Sequence, residues 1–221
     1  MQHGPVRNMD WQLVAAHEAV DGALEVRLTL QRAHPAGAAL NSFAPHLDLQ
    51  LEVRLSDVLQ MRLQTQNQGA EPFVLTQALH SYFAVGDVMQ SRLEGVDGMR
   101  YDSRLDGCAG KLQVGAFVLN DACDNTYAHE CTTPPMDRHY RLVDTAWSRQ
   151  ISLVVSGSEA LVVWNPGAGG AVSMADVPDT AWRDFLCVEA ANAGPDVVVV
   201  PPGGGHALCQ TLRCTALEPK A

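Results

Sequence analysis

The chain has 221 residues, of which 47% are hydrophobic, and this is enough to bury a sizeable core. Its formal net charge of −10 at pH 7 predicts no basic face for nucleic acid and disfavours long-range attraction of an anionic ligand. No apolar run approaches the ~18 residues of a membrane span, and the polar start has no signal-peptide core, so we expect a cytoplasmic protein without a membrane partner.

Three early segments alternate apolar and polar residues with a period of two. They are residues 24–30, 47–55 and 59–64, and only a turn at Ser56-Asp57 separates the last two. This alternation predicts strands that have one face in a core and the other in water. The short connections favour antiparallel hairpins.

Later segments are apolar apart from Ser152, at residues 151–155, 161–164 and 197–200, which is typical of strands buried on both faces. The helical signal is weak and lies at residues 178–184, where Asp179 or Thr180 would cap one or two turns. Many strands with glycine and proline turns predict an all-β fold. We expect a large antiparallel β-sandwich that forms a single domain over residues 1–221.

The cysteines and the glycine-rich turns give no sign of a cofactor. The six cysteines contain no Cys-x-x-Cys pair, and we expect reduced thiols. His129 and Cys131, with Cys123 nearby, match no ordinary zinc spacing. The run Gly203-Gly204-Gly205 lacks the Gly-Lys-Ser/Thr ending of a phosphate loop. We therefore predict no metal and no cofactor.

Two titratable residues stand in strand-like surroundings. His80 lies within an aromatic run at residues 78–83, and Glu189 is a lone carboxylate in an apolar run at residues 187–192. A carboxylate base and an imidazole acid on opposite sides of a small substrate can move two protons at once. From their surroundings alone, a core histidine and a buried glutamate paired with an arginine remain alternatives.

Seven short motifs occur in order along nearly the whole chain. They are QHGPVRN (2–8), ALHSYF (78–83), GDV (86–88), DNTY (124–127), WNP (164–166), SMAD (173–176) and CVE (187–189). Together they resemble the glucose-6-phosphate 1-epimerase (hexose-6-phosphate mutarotase) branch of the aldose 1-epimerase superfamily.

The resemblance implies a galactose mutarotase-like β-sandwich that interconverts the α and β anomers of hexose 6-phosphates, above all glucose 6-phosphate. It implies that His80 is the general acid and that Glu189 is the general base. It also implies that Gln2, Arg7 and Asp124 contact the sugar phosphate. The family needs no cofactor, and a monomer is its usual state.

Two features depart from the family pattern. Relatives have an aromatic residue after the glycine of the first motif, where this chain reads Gly4-Pro5-Val6-Arg7. Relatives also have several strands upstream, including an Arg-Gly-Gly segment that helps to form the phosphate site. We therefore expect an N-terminally truncated domain in which a sheet edge and part of the pocket are exposed.

Two other functions remain open. One is a truncated, inactive carbohydrate-binding or regulatory β-sandwich. The other is a mutarotase for unphosphorylated aldoses, against which the form of the first motif and the segment Trp164-Asn165-Pro166 both argue. We interpret that segment as a packing and turn element rather than as a stacking platform for the sugar. The sequence does not rank the hexose phosphates.

Overall fold

The computed structural model describes residues 3–31, 40–129 and 136–218, and most of these residues lie in β-strands or in the turns between them. In chain order the strands are β1 (Gln12–Glu18), β2 (Leu24–Leu30), β3 (Leu47–Leu55), β4 (Leu59–Asn67), β5 (Phe73–Leu75), β6 (Gln77–Leu79), β7 (Tyr82–Ala84), β8 (Ser91–Glu94), β9 (Arg100–Ser103), β10 (Lys111–Leu112), β11 (Cys123–Ala128), β12 (Arg138–Asp144), β13 (Arg149–Ser156), β14 (Ala160–Asn165), β15 (Phe185–Asn192), β16 (Val198–Val200) and β17 (Gly205–Ala216). The helical elements are α1 (Leu40–Phe43), α2 (Gly167–Ala171) and 3-10 turns at Val6–Asn8, Val88–Gln90 and Ala181–Asp184. None of the helical elements within the described ranges could span a membrane.

The strands form two large sheets. The larger sheet has eight strands in the order β1-β2-β3-β4-β17-β13-β12-β8. The smaller sheet has the order β10-β9-β11-β14-β15-β6, and β7 also pairs with β15. Every pairing is antiparallel, including that of β16 with β5. The predicted antiparallel all-β architecture is confirmed.

The principal core lies between the two sheets. Leu142 and Leu153 of the larger sheet belong to the same buried cluster as Leu161 and Leu186 of the smaller one. This arrangement follows from the alternation, which turns every second residue of a strand toward the facing sheet. Strand β15 is buried on both faces, because its residues from Leu186 to Asn192 are all buried.

A smaller apolar cluster lies at the other end of the larger sheet. It contains Leu30, Leu49 and Leu63, and Val6 and Trp11 pack against it. Strand β1 forms an edge of this sheet, and most of its residues are exposed. The apolar residues near this edge are therefore less well covered than those of the principal core.

The predicted strands at 24–30 and 47–55 have the bounds of β2 and β3. The prediction that residues 197–200 are buried on both faces is wrong. Strand β16 pairs only with the short strand β5, and Val199 is 61% exposed. A continuous apolar run therefore does not by itself indicate two covered faces.

The helical segment predicted from the sequence is shorter in the structure. The segment at 178–184 forms only a 3-10 turn from Ala181, and Thr180 caps it by position without a side-chain hydrogen bond. The glycine-rich residues 167–171 form helix α2. Gly167 opens this helix with a φ of 62°, and a Cβ there would lie 2.6 Å from the backbone nitrogen of Ala122. Only glycine fits this close approach.

Candidate active site

Strands β6 and β7 place His80 directly opposite Glu189. Leu79 pairs with Ala190, and Tyr82 pairs with Cys187, so the same register continues across the two residues between β6 and β7. Side chains that stand opposite each other on antiparallel strands point to the same side of the sheet. Nε2 of His80 accordingly lies 3.1 Å from Oε1 of Glu189.

Burial changes the protonation of this pair. The Glu189 side chain is 5% exposed and that of His80 is 24% exposed. Burial raises the pKa of Glu189 to about 8, and the charge of Asp124 adds to this rise. Burial also lowers the pKa of His80, with the charges of His3 and Arg7 acting in the same direction. At neutral pH the pair therefore holds one titratable proton, and burial favours the uncharged form in which this proton lies on Glu189.

Aromatic rings form one wall of the site. The His80 ring stacks on Tyr82 with 4.9 Å between ring centroids, and Trp164 meets His80 edge-on at 6.2 Å. Phe185 stacks on Trp164 at 6.0 Å. We interpreted Trp164 from the sequence as a packing element, and the structure places its ring beside the titratable pair. An apolar wall with a few polar groups is typical of a small-molecule site.

Asn165 holds the turn that follows β14. Its buried side chain donates hydrogen bonds to the carbonyls of Trp182 and Phe185, each at 2.8 Å. Its oxygen accepts a hydrogen bond from the backbone N–H of Gly167 at 2.8 Å. The Asn165 side chain thus joins both ends of the segment between β14 and β15 and keeps Phe185 in the aromatic wall.

Charged groups surround the pair. Arg7 is exposed in the turn Val6–Asn8, and its charge lowers the pKa of His3 and of His80. The ring of His3 meets that of His80 at 5.3 Å.

Asp124 stands opposite Trp164 in the register of β11 and β14, on the same side of the sheet as Glu189. The structure thus brings His80, Glu189, Arg7 and Asp124 together, whereas Gln2 lies outside the described residues.

Two neighbours of the site, His3 and Arg104, are not among the site residues predicted from the sequence. His3 contacts His80, and the backbone N–H of Arg104 donates to the carbonyl of Asp124 at 2.9 Å. The first motif contains His3, so the resemblance offered a signal for it. Nothing in the sequence around Arg104 points to the site, because its position depends on strand β9 lying beside β11.

The described residues offer no obvious metal site. Among residues 3–31, 40–129 and 136–218, no group of three or more histidine, cysteine, aspartate or glutamate residues is arranged to hold a metal ion. Cys131 lies outside these ranges. The five cysteines within them are free thiols.

Solved structures place this architecture in the galactose mutarotase-like class of β-sandwiches. A "putative mutarotase (YeaD)" from Salmonella typhimurium superposes with a TM-score of 0.81 at 26% identity, over 98% of this chain and 70% of that one. A galactose mutarotase-like protein from Clostridium acetobutylicum superposes with a TM-score of 0.70 at 15% identity, over 97% and 69% of the two chains. At that identity the second likeness shows the fold alone.

The chain belongs to the aldose 1-epimerase family, whose model matches residues 1–212. A "Putative glucose-6-phosphate 1-epimerase" of Escherichia coli K12 is 30% identical over 213 residues, covering 96% of this chain and 67% of the relative. A Salmonella typhimurium protein of the same name is 31% identical over 193 residues, covering 86% and 60%. The chain thus spans 60 to 67% of the length of these relatives. The resemblance inferred from the seven motifs is confirmed.

Proposed function

We propose that this protein interconverts the α and β anomers of hexose 6-phosphates, with glucose 6-phosphate as the main substrate. The observation that carries the proposal is the 3.1 Å contact between Nε2 of His80 and Oε1 of Glu189 in a largely buried pair. Membership of the aldose 1-epimerase family and the names of the relatives support the same reaction. A cytoplasmic location, a single domain and a monomeric state belong to the proposal and rest on the resemblance.

The reaction requires two proton transfers at neighbouring oxygens. Glu189 removes the proton of the anomeric hydroxyl while His80 donates a proton to the ring oxygen, and the bond between C1 and the ring oxygen breaks. After rotation about the C1–C2 bond, the ring closes on the other face of the aldehyde. Both transfers then reverse, so every proton returns and no electrons are exchanged.

The observed pair suits this exchange. The anomeric hydroxyl and the ring oxygen are bonded to the same carbon, so a sugar can bridge two side chains that lie this close. Transfer of the pair's proton from Glu189 to His80, across their 3.1 Å contact, gives the form that the reaction requires, with Glu189 as base and His80 as acid. A pKa of about 8 for Glu189 lies near the working pH, which favours transfer in both directions.

The phosphate specificity rests on local positive charge. The chain carries a net charge of −10, so a phosphate group needs cationic side chains at the site itself. Arg7 is exposed near His80, and a guanidinium can bind phosphate through two parallel hydrogen bonds. We assign Asp124 to the sugar hydroxyls, and Gln2 is a further proposed contact that rests on the resemblance.

The test is exchange spectroscopy between the α and β anomeric protons of glucose 6-phosphate. The protein should accelerate exchange above the rate in buffer, and it should act less efficiently on unphosphorylated glucose. Arg7→Ala should raise KM for the phosphosugar and leave exchange of glucose unchanged. Arg213→Ala is the matched control, because Arg213 is an exposed arginine that pairs with Asp57 and lies on the larger sheet.

The outcomes separate the three functions. Exchange of neither sugar overturns the proposal, and binding of the phosphosugar without exchange supports the carbohydrate-binding alternative. Equal efficiency with both sugars overturns the phosphate specificity and supports a mutarotase for unphosphorylated aldoses.

A further inference from the structure

Gln210 is a polar side chain within the principal core. It lies on β17 and is 0% exposed. Its neighbours on the same face, Leu208 and Leu212, pack in the cluster between the two sheets. An amide in such a place is destabilising unless its oxygen and its N–H groups find partners.

Its partners are the residues next to the candidate acid and base. Oε1 of Gln210 accepts a hydrogen bond from the Ser81 hydroxyl at 2.5 Å, and Nε2 donates to the Val188 carbonyl at 3.2 Å. The backbone N–H of Val188 in turn donates to the Ser81 carbonyl at 3.2 Å. These three hydrogen bonds form a closed ring on the core side of the smaller sheet.

This ring lies on the opposite side of the sheet from the titratable pair. Successive residues of a strand point to opposite faces, so Ser81 points into the core where His80 points to the site. The same holds for Val188 and Glu189. Strand β6 ends at Leu79 and β7 begins at Tyr82, so regular pairing is interrupted at the position that carries His80.

The second ring nitrogen of His80 does not help to fix the orientation of the imidazole. Its Nδ1 atom has no hydrogen-bond partner among the described residues. In many acid–base sites a partner on the second ring nitrogen orients the imidazole. Here the orientation depends on the contact with Glu189, on the neighbouring rings of Tyr82, Trp164 and His3, and on the placement of the backbone.

We infer that Gln210 is a positioning residue for anomer exchange, because it clamps the side chain of Ser81, next to His80, to the backbone carbonyl of Val188, next to Glu189. The clamp fixes the distance between acid and base without contact with the substrate. This inference rests on the proposed function. It assigns to the larger sheet a part in a reaction whose acid and base both belong to the smaller sheet.

The first test compares Gln210→Met with Gln77→Met. Methionine approximates the volume of glutamine and removes its hydrogen bonds. Gln77 is a matched control, because its amide likewise makes two hydrogen bonds, here to the side chains of Thr65 and Asn192, and it lies on β6 away from the pair. In Gln210→Met, kcat for glucose 6-phosphate should fall roughly 10- to 100-fold with KM within about twofold, since small misplacements of reacting groups cost this much.

In Gln77→Met, kcat should stay near the wild-type value even if the melting temperature falls as far as it does in Gln210→Met. Ser81→Ala should cause a smaller loss of kcat than Gln210→Met, and the double variant should be no slower than Gln210→Met alone. Wild-type kcat in folded Gln210→Met overturns the inference. If Gln210→Met does not fold, Ser81→Ala decides in its place, and an unchanged kcat there overturns the inference.

The second test needs no substrate. The His80 imidazole is titrated by NMR, and the groups that face it include Glu189, His3, Arg7 and Tyr82. Burial is the largest cause of the lowered pKa of His80, so a less closely held ring in Gln210→Met should have a midpoint nearer 6.5, whereas Gln77→Met should leave the midpoint in place. If the wild type exchanges no sugar phosphate, the proposed function fails and the role in exchange fails with it, and this titration then decides whether Gln210 positions the His80 ring. An unchanged midpoint in Gln210→Met then overturns that positioning role.

Discussion

Strands β15 and β2 are both rich in apolar residues, but their surroundings differ sharply. All residues of β15 from Leu186 to Asn192 are buried. On β2, by contrast, Leu24 is 53% exposed, and on the neighbouring edge strand Leu13 is 58% exposed. Strand β15 lies inside the smaller sheet, between β14 on one side and β6 and β7 on the other, and one of its faces packs in the principal core. The small cluster near β1, in contrast, covers its strands only in part.

This comparison shows which part of the molecule can hold reactive side chains in defined positions. Glu189 lies on the fully packed strand β15, where close packing restricts the side chains to defined positions. Arg7 adjoins the small cluster through its neighbour Val6 and is itself exposed. The site thus combines a fixed acid–base pair with a less constrained charged contact.

The largest stability difference should separate Leu161→Ala from Leu24→Ala. Leu161 is fully buried on β14, so its truncation leaves a cavity and should cost about 2–5 kcal/mol of unfolding free energy. Leu24 is half-exposed, and the same change should cost less than about 1 kcal/mol. Urea unfolding followed by circular dichroism measures both. Equal losses would contradict the contrast between the two regions.

A pH-dependent difference should follow from replacing Glu189. Its pKa is raised from 4.5 to about 8, so the folded state holds the proton more tightly than the unfolded state does. This stabilising contribution is complete below pH 4.5 and is lost as the pH rises through about 8. The variant Glu189→Gln lacks this titrating group. The melting temperature of Glu189→Gln minus that of the wild type should therefore increase from pH 5 to pH 9.

The gain should be several degrees, since each kcal/mol corresponds to about 2–4 °C in a chain of this size. Glu25→Gln on β2 is the control, because Glu25 is a partly exposed carboxylate paired with Arg54. The change in melting temperature caused by Glu25→Gln should be small at both pH values. A difference between Glu189→Gln and the wild type that is the same at pH 5 and pH 9 would refute the buried, proton-binding carboxylate.

A bell-shaped pH dependence of exchange is the third expectation. Above about pH 8 the pair loses its shared proton as Glu189 ionises, and no acid remains. At low pH a second proton binds to His80, whose pKa is lowered below 6.5, and no base remains. Each limb should approach tenfold per pH unit. A rate that stays constant from pH 5 to pH 10 would contradict the assignment of both groups.

Much of the fold could be predicted because its signals are local. Alternation fixed the bounds of β2 and β3, since one side of each strand faces the core and the other faces solvent. The exposure of β16 could not be predicted, because it depends on which strands lie beside it. The same limit applies to Leu24, whose apolar character says nothing about what covers it.

For the site, the sequence identified residue types and the structure supplied their arrangement. Glu189 stood out as a carboxylate in an apolar strand, and His80 stood out only through its motif. Their opposition depends on the register between strands that are distant in the sequence. Arg104 and Gln210 reach the region through strand neighbours, and no local pattern marks either of them.

The central claim is that Glu189 and His80 carry out proton transfer in anomer exchange. The most direct measurement is the exchange rate of glucose 6-phosphate, by two-dimensional NMR, for wild type, Glu189→Gln, His80→Asn and the control Glu159→Gln. Glu159 is another poorly exposed carboxylate, but it pairs with Arg138. Glu189→Gln and His80→Asn should each be slower by at least ~100-fold, the usual effect of losing one positioned proton-transfer group. Binding should change little, and Glu159→Gln should keep its rate. A full exchange rate in Glu189→Gln would show that Glu189 is not the base.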